Sequence, residues 1–178
     1  VSVGVFIVTH NHASTLPAVL DSLRGQDFLA RVVVVDNASQ DGSAGLAQSF
    51  ARALPLQVLA LGENTGFSRG ANLALQQLDT PWVLSLNPDC RLTPGFLPEL
   101  LQAATAHPQL GSATGLLLRG RGNKLQETQV VDAAGMLVSA SGRHRDRGAG
   151  QPLRSKFLQP AWVFGATGAC ALYRRQAL

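Results

Sequence analysis

Four short polar stretches each follow directly on an apolar run. Thr9-His10-Asn11 follows VSVGVFIV, and Asp36-Asn37-Ala38-Ser39-Gln40-Asp41-Gly42-Ser43 follows RVVVV. Gly62-Glu63-Asn64-Thr65-Gly66-Phe67-Ser68-Arg69-Gly70 follows LQVLAL, and Asn87-Pro88-Asp89 follows WVLSL. Together they supply carboxylates, amides, an imidazole and a guanidinium. A carboxylate accepts hydrogen bonds, and an Arg fork donates to carbonyl or phosphate oxygens. Gly66 allows backbone to come close to a ligand. Any one stretch is ordinary turn chemistry, because Asn, Pro, Asp and Gly are what turns use. Their meaning depends on whether all four lie at one edge of the fold.

The intervening residues supply that edge. Val3–Val8 reads as a strand, followed by a helix over Ser14–Leu23 with Leu16, Val19, Leu20 and Leu23 inward and Ser14 placed to cap it. Arg31-Val32-Val33-Val34-Val35 is a continuous β-branched run, the pattern of a strand buried on both faces. Gly42–Leu54 is helical, Leu56–Leu61 a strand, Gly70–Leu78 a helix and Pro81–Leu86 a strand. Thr93-Pro94 reads as the start of a helix in cap-then-proline order, with Leu97, Leu100, Leu101 and Ala104 as its inner stripe. Gly111–Leu118 is strand-like, and short strands are expected near Gln129–Val131, Met136–Ser139, Trp162–Phe164 and Ala169–Tyr173. This βαβα order predicts an α/β fold with a mostly parallel central sheet flanked by helices. Ligands bind beyond the carboxyl ends of such strands, where the four polar stretches fall.

Composition narrows the classes. The chain has 178 residues, 46% hydrophobic and 15% charged, with a formal net charge of +4 carried mostly by Arg. That suits one folded domain with a mild preference for anions. Cys90 and Cys170 form no CxxC pair and read as neither a disulfide framework nor a zinc site, so a reducing compartment is expected. No apolar run is long enough to span a bilayer. VSVGVFIV lacks the basic start of a signal peptide and reads as a core strand. THNHAST has no glycine, so the turn after the first strand does not suit a dinucleotide pyrophosphate, although Asp36 stands where such folds hold a ribose. There is no Gly-Lys-Ser/Thr for a Walker loop, and His144-Arg145-Asp146 stands without the other kinase motifs.

In order and spacing, VFIVTHN, VVVVDNASQDGS, NTGFSRGAN, LNPD and FGATGACALYRR resemble the successive motifs of glycosyltransferase family 2, closest to its rhamnosyltransferase-like members. The resemblance implies a Rossmann-like GT-A fold, with a nucleotide-sugar-binding half over residues 1–118 and an acceptor half beginning at 119. It implies inverting transfer of a sugar, rhamnose among the candidates, from a UDP- or dTDP-sugar donor to a saccharide or lipid-linked acceptor in cell-surface polysaccharide synthesis. Asp89 would be the carboxylate of a DXD-type motif that binds Mg²⁺ or Mn²⁺ on the donor diphosphate. Asn87 stands in place of a first Asp, which weakens metal binding in the absence of donor. Asp36, with Asn37 beside it, would accept a hydrogen bond from the imide N–H of uracil or thymine. Thr9, His10 and Asn11 would lie along base and ribose, and Asn64, Gly66 and Arg69 would form a third patch. Gly165 and Ala166 would face sugar and acceptor. Arg174 and Arg175 reach phosphate or are solvated, Phe67 belongs to the core, and Cys90 is packing.

An inverting transferase needs a general base at the acceptor hydroxyl. The resemblance puts it in a carboxylate pair downstream of the GA…RR segment. The expectation is that the base lies beyond Leu178, that the chain is trimmed, and that it binds nucleotide but transfers sugar poorly. The Arg-rich loops RGRGNK and SGRHRDRGAGQP lack the interleaved aromatics of a nucleic-acid groove, so no nucleic-acid partner is expected. A loop over the site, or peripheral contact with an anionic membrane surface from a cytoplasmic location, fits them better. The rival readings are a nucleotidyltransferase-like enzyme of nucleotide sugars and a non-enzymatic anion or nucleic-acid binder.

Overall fold

The computed structural model describes residues 1–178. Strands β1 (Val3–Thr9), β2 (Leu29–Asp36), β3 (Leu56–Ala60) and β4 (Trp82–Leu86) alternate with helices α1 (Leu16–Leu23), α2 (Ser43–Ser49) and α3 (Phe67–Leu75). Helix α4 (Phe96–Thr105) and the two-residue β5 (Ser112–Ala113) come next. Two hairpins follow, β6 (Leu117–Arg121) with β7 (Gln126–Ala133) and β8 (Met136–Val138) with β9 (His144–Asp146), before β10 (Cys170–Arg174). The main sheet runs β3-β2-β1-β4-β10-β5. The pairs among β1, β2, β3 and β4 are parallel, and β10 is antiparallel to both β4 and β5.

The apolar runs explain the layering. Alternate residues of a strand face opposite sides of a sheet. Val3, Val5, Ile7, Val32 and Val34 pack with Leu16, Leu20, Leu97 and Leu101 on one side. Phe6, Val8, Val33 and Val35 pack with Ala71, Ala74 and Leu78 of the α3 segment on the other. Val32 to Val35 are fully buried, which is why no polar residue interrupts them. Each such side chain contributes roughly 1.5–3 kcal/mol on burial.

Gly70 marks the closest approach of α3 to the sheet. A Cβ there would lie 2.9 Å from Val8 Cγ1 and 3.2 Å from Val8 Cγ2. Val8 is β-branched and has little rotamer freedom to move aside. Gly70→Ala is therefore expected to lose about 1–2 kcal/mol, overpacking outweighing the gain in helix propensity. A shift in the urea midpoint at unchanged slope measures it.

Several local expectations are corrected. Ser14 does not cap α1, which begins at Leu16; the amides of Thr15 and Leu16 both donate to His12 O. Thr93-Pro94 lies before α4, whose flanking residue is Gly95 in the left-handed region at φ 77°. Helix α3 starts three residues earlier than Gly70, immediately after Gly66 at φ 80°. The Gly42–Leu54 helix is α2 plus a 3-10 turn over Phe50–Arg52. Gly111–Leu118 is broken into β5 and the start of β6, with Gly115 between them packed so tightly on Phe96 that a Cβ would overlap the ring. Trp162–Phe164 is no strand; Phe164 N donates to Met136 O beside a single bridge between Met136 and Gly165. Phe67 is 53% exposed at the start of α3 and does not join the core.

Candidate functional site

The polar exits do share one edge. Asp36 is the register partner of Thr9, and Phe6 is the partner of Ser85. Asp36 and Thr9 thus stand side by side in a row at the ends of two paired strands, and the Pro88-Asp89 turn follows the end of the third, β4, at the same edge of the sheet. Asp36 is 3% exposed. Its Oδ2 accepts from Ser39 N at 3.0 Å, while its Oδ1 is buried without a partner, as is Thr9 Oγ1 beside it in the row. A buried polar atom left unpaired costs roughly 1–3 kcal/mol and asks for an explanation.

The loops around this row are tied together by their own polar side chains. Asn37 is buried; its Oδ1 accepts from Thr65 N at 2.9 Å and its Nδ2 donates to Gly66 O at 3.2 Å, so its amide joins the second and third exits. His10 Nδ1 donates to Asn37 O at 2.8 Å. That bond puts the ring proton on Nδ1 and leaves Nε2 to accept from Asn11 Nδ2 at 3.2 Å. The exposed imidazole is thereby fixed in orientation. Asn11 adopts φ 61°, and its Oδ1 accepts from Gln40 N at 2.8 Å. Asp41 clasps the first loop to the second, accepting from Ala13 N and from Ser43 N and Oγ. The Ser43 hydroxyl, then the Ala13 amide, hold the Asp41 carboxyl below its ordinary pKa. A lowered pKa means this clasp is intact through the neutral range and is lost as pH falls through that lowered value.

At the third exit, Asn64 Oδ1 accepts from Gly66 N at 3.0 Å, turning the chain into α3. Arg69 is exposed on that helix and forms no ion pair. At the fourth, Cys90 N donates to Asn87 O at 3.1 Å, and Thr15 Oγ1 donates to Pro88 O at 2.8 Å. The turn is therefore held from both sides. Asp89 itself is exposed, and its carboxylate makes no hydrogen bond. It opens on a cavity of ≈ 560 Å³ that Asn87, Arg91, Arg119, Glu127 and Asp132 also line.

The structure thus brings Thr9, Asp36, Asn37, Asn87 and Asp89 to one rim, with His10, Asn11, Asn64, Gly66 and Arg69 on the loops around it. Gly165 and Ala166 lie apart from the Asp89 cavity. They line a second cavity of ≈ 650 Å³ with Trp162 and Phe164, and the small residue beside Asp89 is Ala169. Glu127 and Asp132 were not singled out in the sequence, whereas Arg119 belongs to the RGRGNK stretch expected over the site. Asp132 sits between buried Val131 and Ala133 on β7, an alternation that marks a strand but does not reveal which wall it faces. The 3.7 Å Arg119–Asp132 pair has both side chains more than half exposed and contributes little stability.

Arg174 and Arg175 serve the fold. Arg174 Nε donates to Leu110 O at 3.0 Å with its guanidinium over the Trp82 ring. Arg175 Nη1 donates to Leu78 O at 2.6 Å and Leu75 O at 3.2 Å, closing the end of α3. Arg175→Ala is expected to cost about 1–2 kcal/mol in thermal or urea unfolding and to leave nucleotide affinity unchanged, as measured by calorimetry. Cys90 and Cys170, distant in sequence, meet: a hydrogen bond with Cys90, and burial, push the Cys170 thiol well above its usual pKa. Both are free thiols.

The donor set around Asp89 also tests whether a divalent cation fits. No group of three or more His, Cys, Asp or Glu side chains converges anywhere in the chain. One unpaired, exposed carboxylate at the rim suits Mg²⁺ or Mn²⁺, which commonly take one or two protein carboxylates and complete their shell with phosphate oxygens and water. It does not suit a cage that holds metal by protein alone.

A mostly parallel sheet with helices on both faces, one antiparallel strand set between β4 and the edge strand β5, and a polar rim at the strand ends define the Rossmann-like GT-A fold. The model of "Glycosyl transferase family 2" matches residues 4–178, and the chain belongs to that family. It is 28% identical to the Mycobacterium tuberculosis N-acetylglucosaminyl-diphospho-decaprenol L-rhamnosyltransferase, across 97% of this chain and 61% of that one. It is 32% identical to the Rhizobium meliloti lipopolysaccharide core biosynthesis glycosyltransferase LpsC, across 57% of this chain and 37% of that one. The chain therefore spans less than two thirds of the length of these relatives. Among solved structures, S. aureus TarS 1–349 in complex with UDP-GlcNAc superposes with a TM-score of 0.61 at 26% identity, covering 68% of this chain and 36% of that one. The Pyrobaculum calidifontis mannosyltransferase PcManGT in complex with GDP-Man and Mn²⁺ superposes with a TM-score of 0.66 at 22% identity, covering 98% and 44%.

Proposed function

We propose that this chain binds the UDP- or dTDP-sugar donor of an inverting glycosyltransferase, with Asp36 reading the pyrimidine and Asp89 holding the diphosphate through Mg²⁺ or Mn²⁺. The observation that carries the reading is the orphaned Oδ1 of buried Asp36 at the sheet rim. The imide N–H of uracil or thymine would satisfy it, whereas the unprotonated ring nitrogen of cytosine would be repelled. The UDP-GlcNAc and UDP complexes of TarS support a uridine donor. The rhamnosyltransferase and lipopolysaccharide relatives support cell-surface polysaccharide synthesis, with a saccharide or lipid-linked acceptor.

Each side chain has a part in that reading. Asp36 and Thr9 take the base, and His10, locked by Asn37 O and Asn11, presents its ring along the ribose. Asn37 and Asn64 hold the backbone of Gly66 for close approach, and Arg69 reaches toward base carbonyl or phosphate. Asn87 and Asp89 flank the diphosphate, where a bound cation would neutralise charge on the leaving group. The ≈ 560 Å³ cavity beside Asp89 gives room for the sugar. Residues 119–178, with Gly165 and Ala166, begin the acceptor side. The base that takes the acceptor proton is assigned C-terminal to the GA…RR segment. Residues 1–178 alone are then expected to bind donor while transferring at least about 100-fold more slowly than a chain that includes that base.

Calorimetry with UDP, dTDP, CDP and ADP, each with and without Mn²⁺, tests the donor reading. Metal-dependent binding of the first two, with CDP much weaker, supports it. Equal binding of all four, or none, removes it.

A further inference from the structure

Charge is divided unevenly along the chain. Residues 1–118 contain five Lys or Arg against eight Asp or Glu, a net −3. Residues 119–178 contain ten against three, a net +7. Within residues 143–156 lie Arg143, Arg145, Arg147, Arg154 and Lys156 with Asp146 as the one acid.

The same part of the molecule exposes large apolar side chains. Leu158, Trp162 and Phe164 are 61%, 67% and 62% exposed. They share the rim of the ≈ 650 Å³ cavity, whose lining includes the apolar Leu100, Ala113 and Leu116. These side chains are positioned. Phe164 N donates to Met136 O, Met136 N donates to Gly165 O, and the Phe164 ring meets His144 edge-on at 5.3 Å. Trp162 packs edge-on against His107 at 5.2 Å. The adjoining β8–β9 hairpin adds exposed Leu137 and Val138. Leu137 is paired with Arg145, so an apolar and a cationic side chain stand on one face of that hairpin. Lys156 and Arg147 stack on the buried Phe157 ring immediately before Leu158.

We propose that this face docks the protein on an anionic lipid bilayer: Trp162, Phe164 and Leu158 enter the boundary between headgroups and acyl chains, and the surrounding Arg and Lys side chains bind the headgroups. The chemistry is that of interfacial binding. Apolar side chains bury a shallow patch, an indole sits at the headgroup level, and Lys and Arg add attraction to the negative surface. No helix in residues 1–178 is long and apolar enough to cross a membrane, and the contact proposed for this face is with the bilayer surface. A nucleic-acid groove needs rings spaced along a basic track, whereas here the apolar side chains gather at one cavity rim. The inference stands apart from the nucleotide reading, because none of these residues belongs to the Asp36–Asp89 rim.

Sedimentation with vesicles of phosphatidylglycerol and phosphatidylethanolamine, set against vesicles of phosphatidylcholine, tests it. The protein has two tryptophans, and Trp82 is buried. A shift of emission to shorter wavelength on adding vesicles therefore reports Trp162. The expected result is salt-sensitive binding to the anionic vesicles with that shift. Binding should weaken about tenfold or more in Trp162→Ala/Phe164→Ala and in Arg143→Glu/Arg145→Glu. Both pairs are exposed, and unchanged melting temperature and UDP affinity check their folding. No binding, equal binding to both vesicle types, or an unshifted Trp162 overturns the inference. So does a dimer in gel filtration that Trp162→Ala/Phe164→Ala converts to monomer, which assigns the face to a second copy, or RNA binding abolished by the same variants. UDP binding is read separately, so failure here leaves the donor reading standing, and failure there leaves this one.

Discussion

Asp36→Asn is expected to weaken UDP binding about 100-fold while the melting temperature holds or rises. The substitution preserves shape, so what changes is the pattern of donors and acceptors. In the native protein Oδ2 accepts from Ser39 N and Oδ1 has no partner. An asparagine must keep its carbonyl oxygen toward Ser39 N, because reversing the amide would set two donors against each other. Its NH₂ group then faces the position of Oδ1, where a pyrimidine imide N–H would also arrive as a donor. A charge-assisted hydrogen bond of roughly 1.5–3 kcal/mol is replaced by a clash of donors, which sets the hundredfold scale. Cytosine, with an acceptor at its ring nitrogen, should lose nothing and can gain, so the ratio of UDP to CDP affinity is the sharpest readout. Stability should not suffer, since a neutral amide is less costly to bury than a carboxylate with one orphan oxygen. If the UDP to CDP ratio does not move, Asp36 does not read the base.

The sequence made the layers legible because burial on both faces leaves a simple trace. Val32 to Val35 carry no polar residue since each neighbour faces a helix-covered side, and the four strand exits could be placed at one rim from connection order alone. Helix starts were harder to place. Thr93-Pro94 and Ser14 have the right side chains for a cap, yet α4 and α1 begin later, where Gly95 takes a positive φ and the His12 carbonyl receives the free amides. Cap preference is local, while the start is set by where the helix must meet the sheet. The arginines were legible as charges and not as partners: Arg175 could be solvated or bound to phosphate until the end of α3 was seen beside it. The walls of the Asp89 cavity were out of reach for a related reason. Asp132 and Glu127 come from a hairpin, and Leu117 pairs with Ala133 through a register shift that no period-two pattern announces. Gly165 and Ala166 were read from a motif, and a motif does not say which of two cavities its backbone lines.

Asp89→Ala should abolish the tightening of UDP binding by Mn²⁺ without disturbing the fold. The carboxylate is exposed and makes no hydrogen bond or ion pair, while the turn that carries it is held by Asn87 O and Thr15 Oγ1. Removing the side chain should therefore change unfolding free energy by no more than about 0.5 kcal/mol, the range for surface sites away from special contacts. Binding is a different matter, because Asp89 belongs to no cluster of three or more metal-ligating side chains that could stand in for it. A cation that neutralises diphosphate charge contributes several kcal/mol, so the ratio of UDP affinity with and without Mn²⁺ should fall from about 100 or more to near one. The reverse substitution separates this account from general loss of a polar rim. Asn87→Asp adds a second carboxylate two residues away on the same turn, and it should raise Mn²⁺ affinity in the absence of nucleotide, where the native turn carries one carboxylate. Metal-dependent binding that survives Asp89→Ala, or an Asn87→Asp protein that binds Mn²⁺ no better, would move the cation away from this turn and leave Asp89 as a residue that merely borders the cavity.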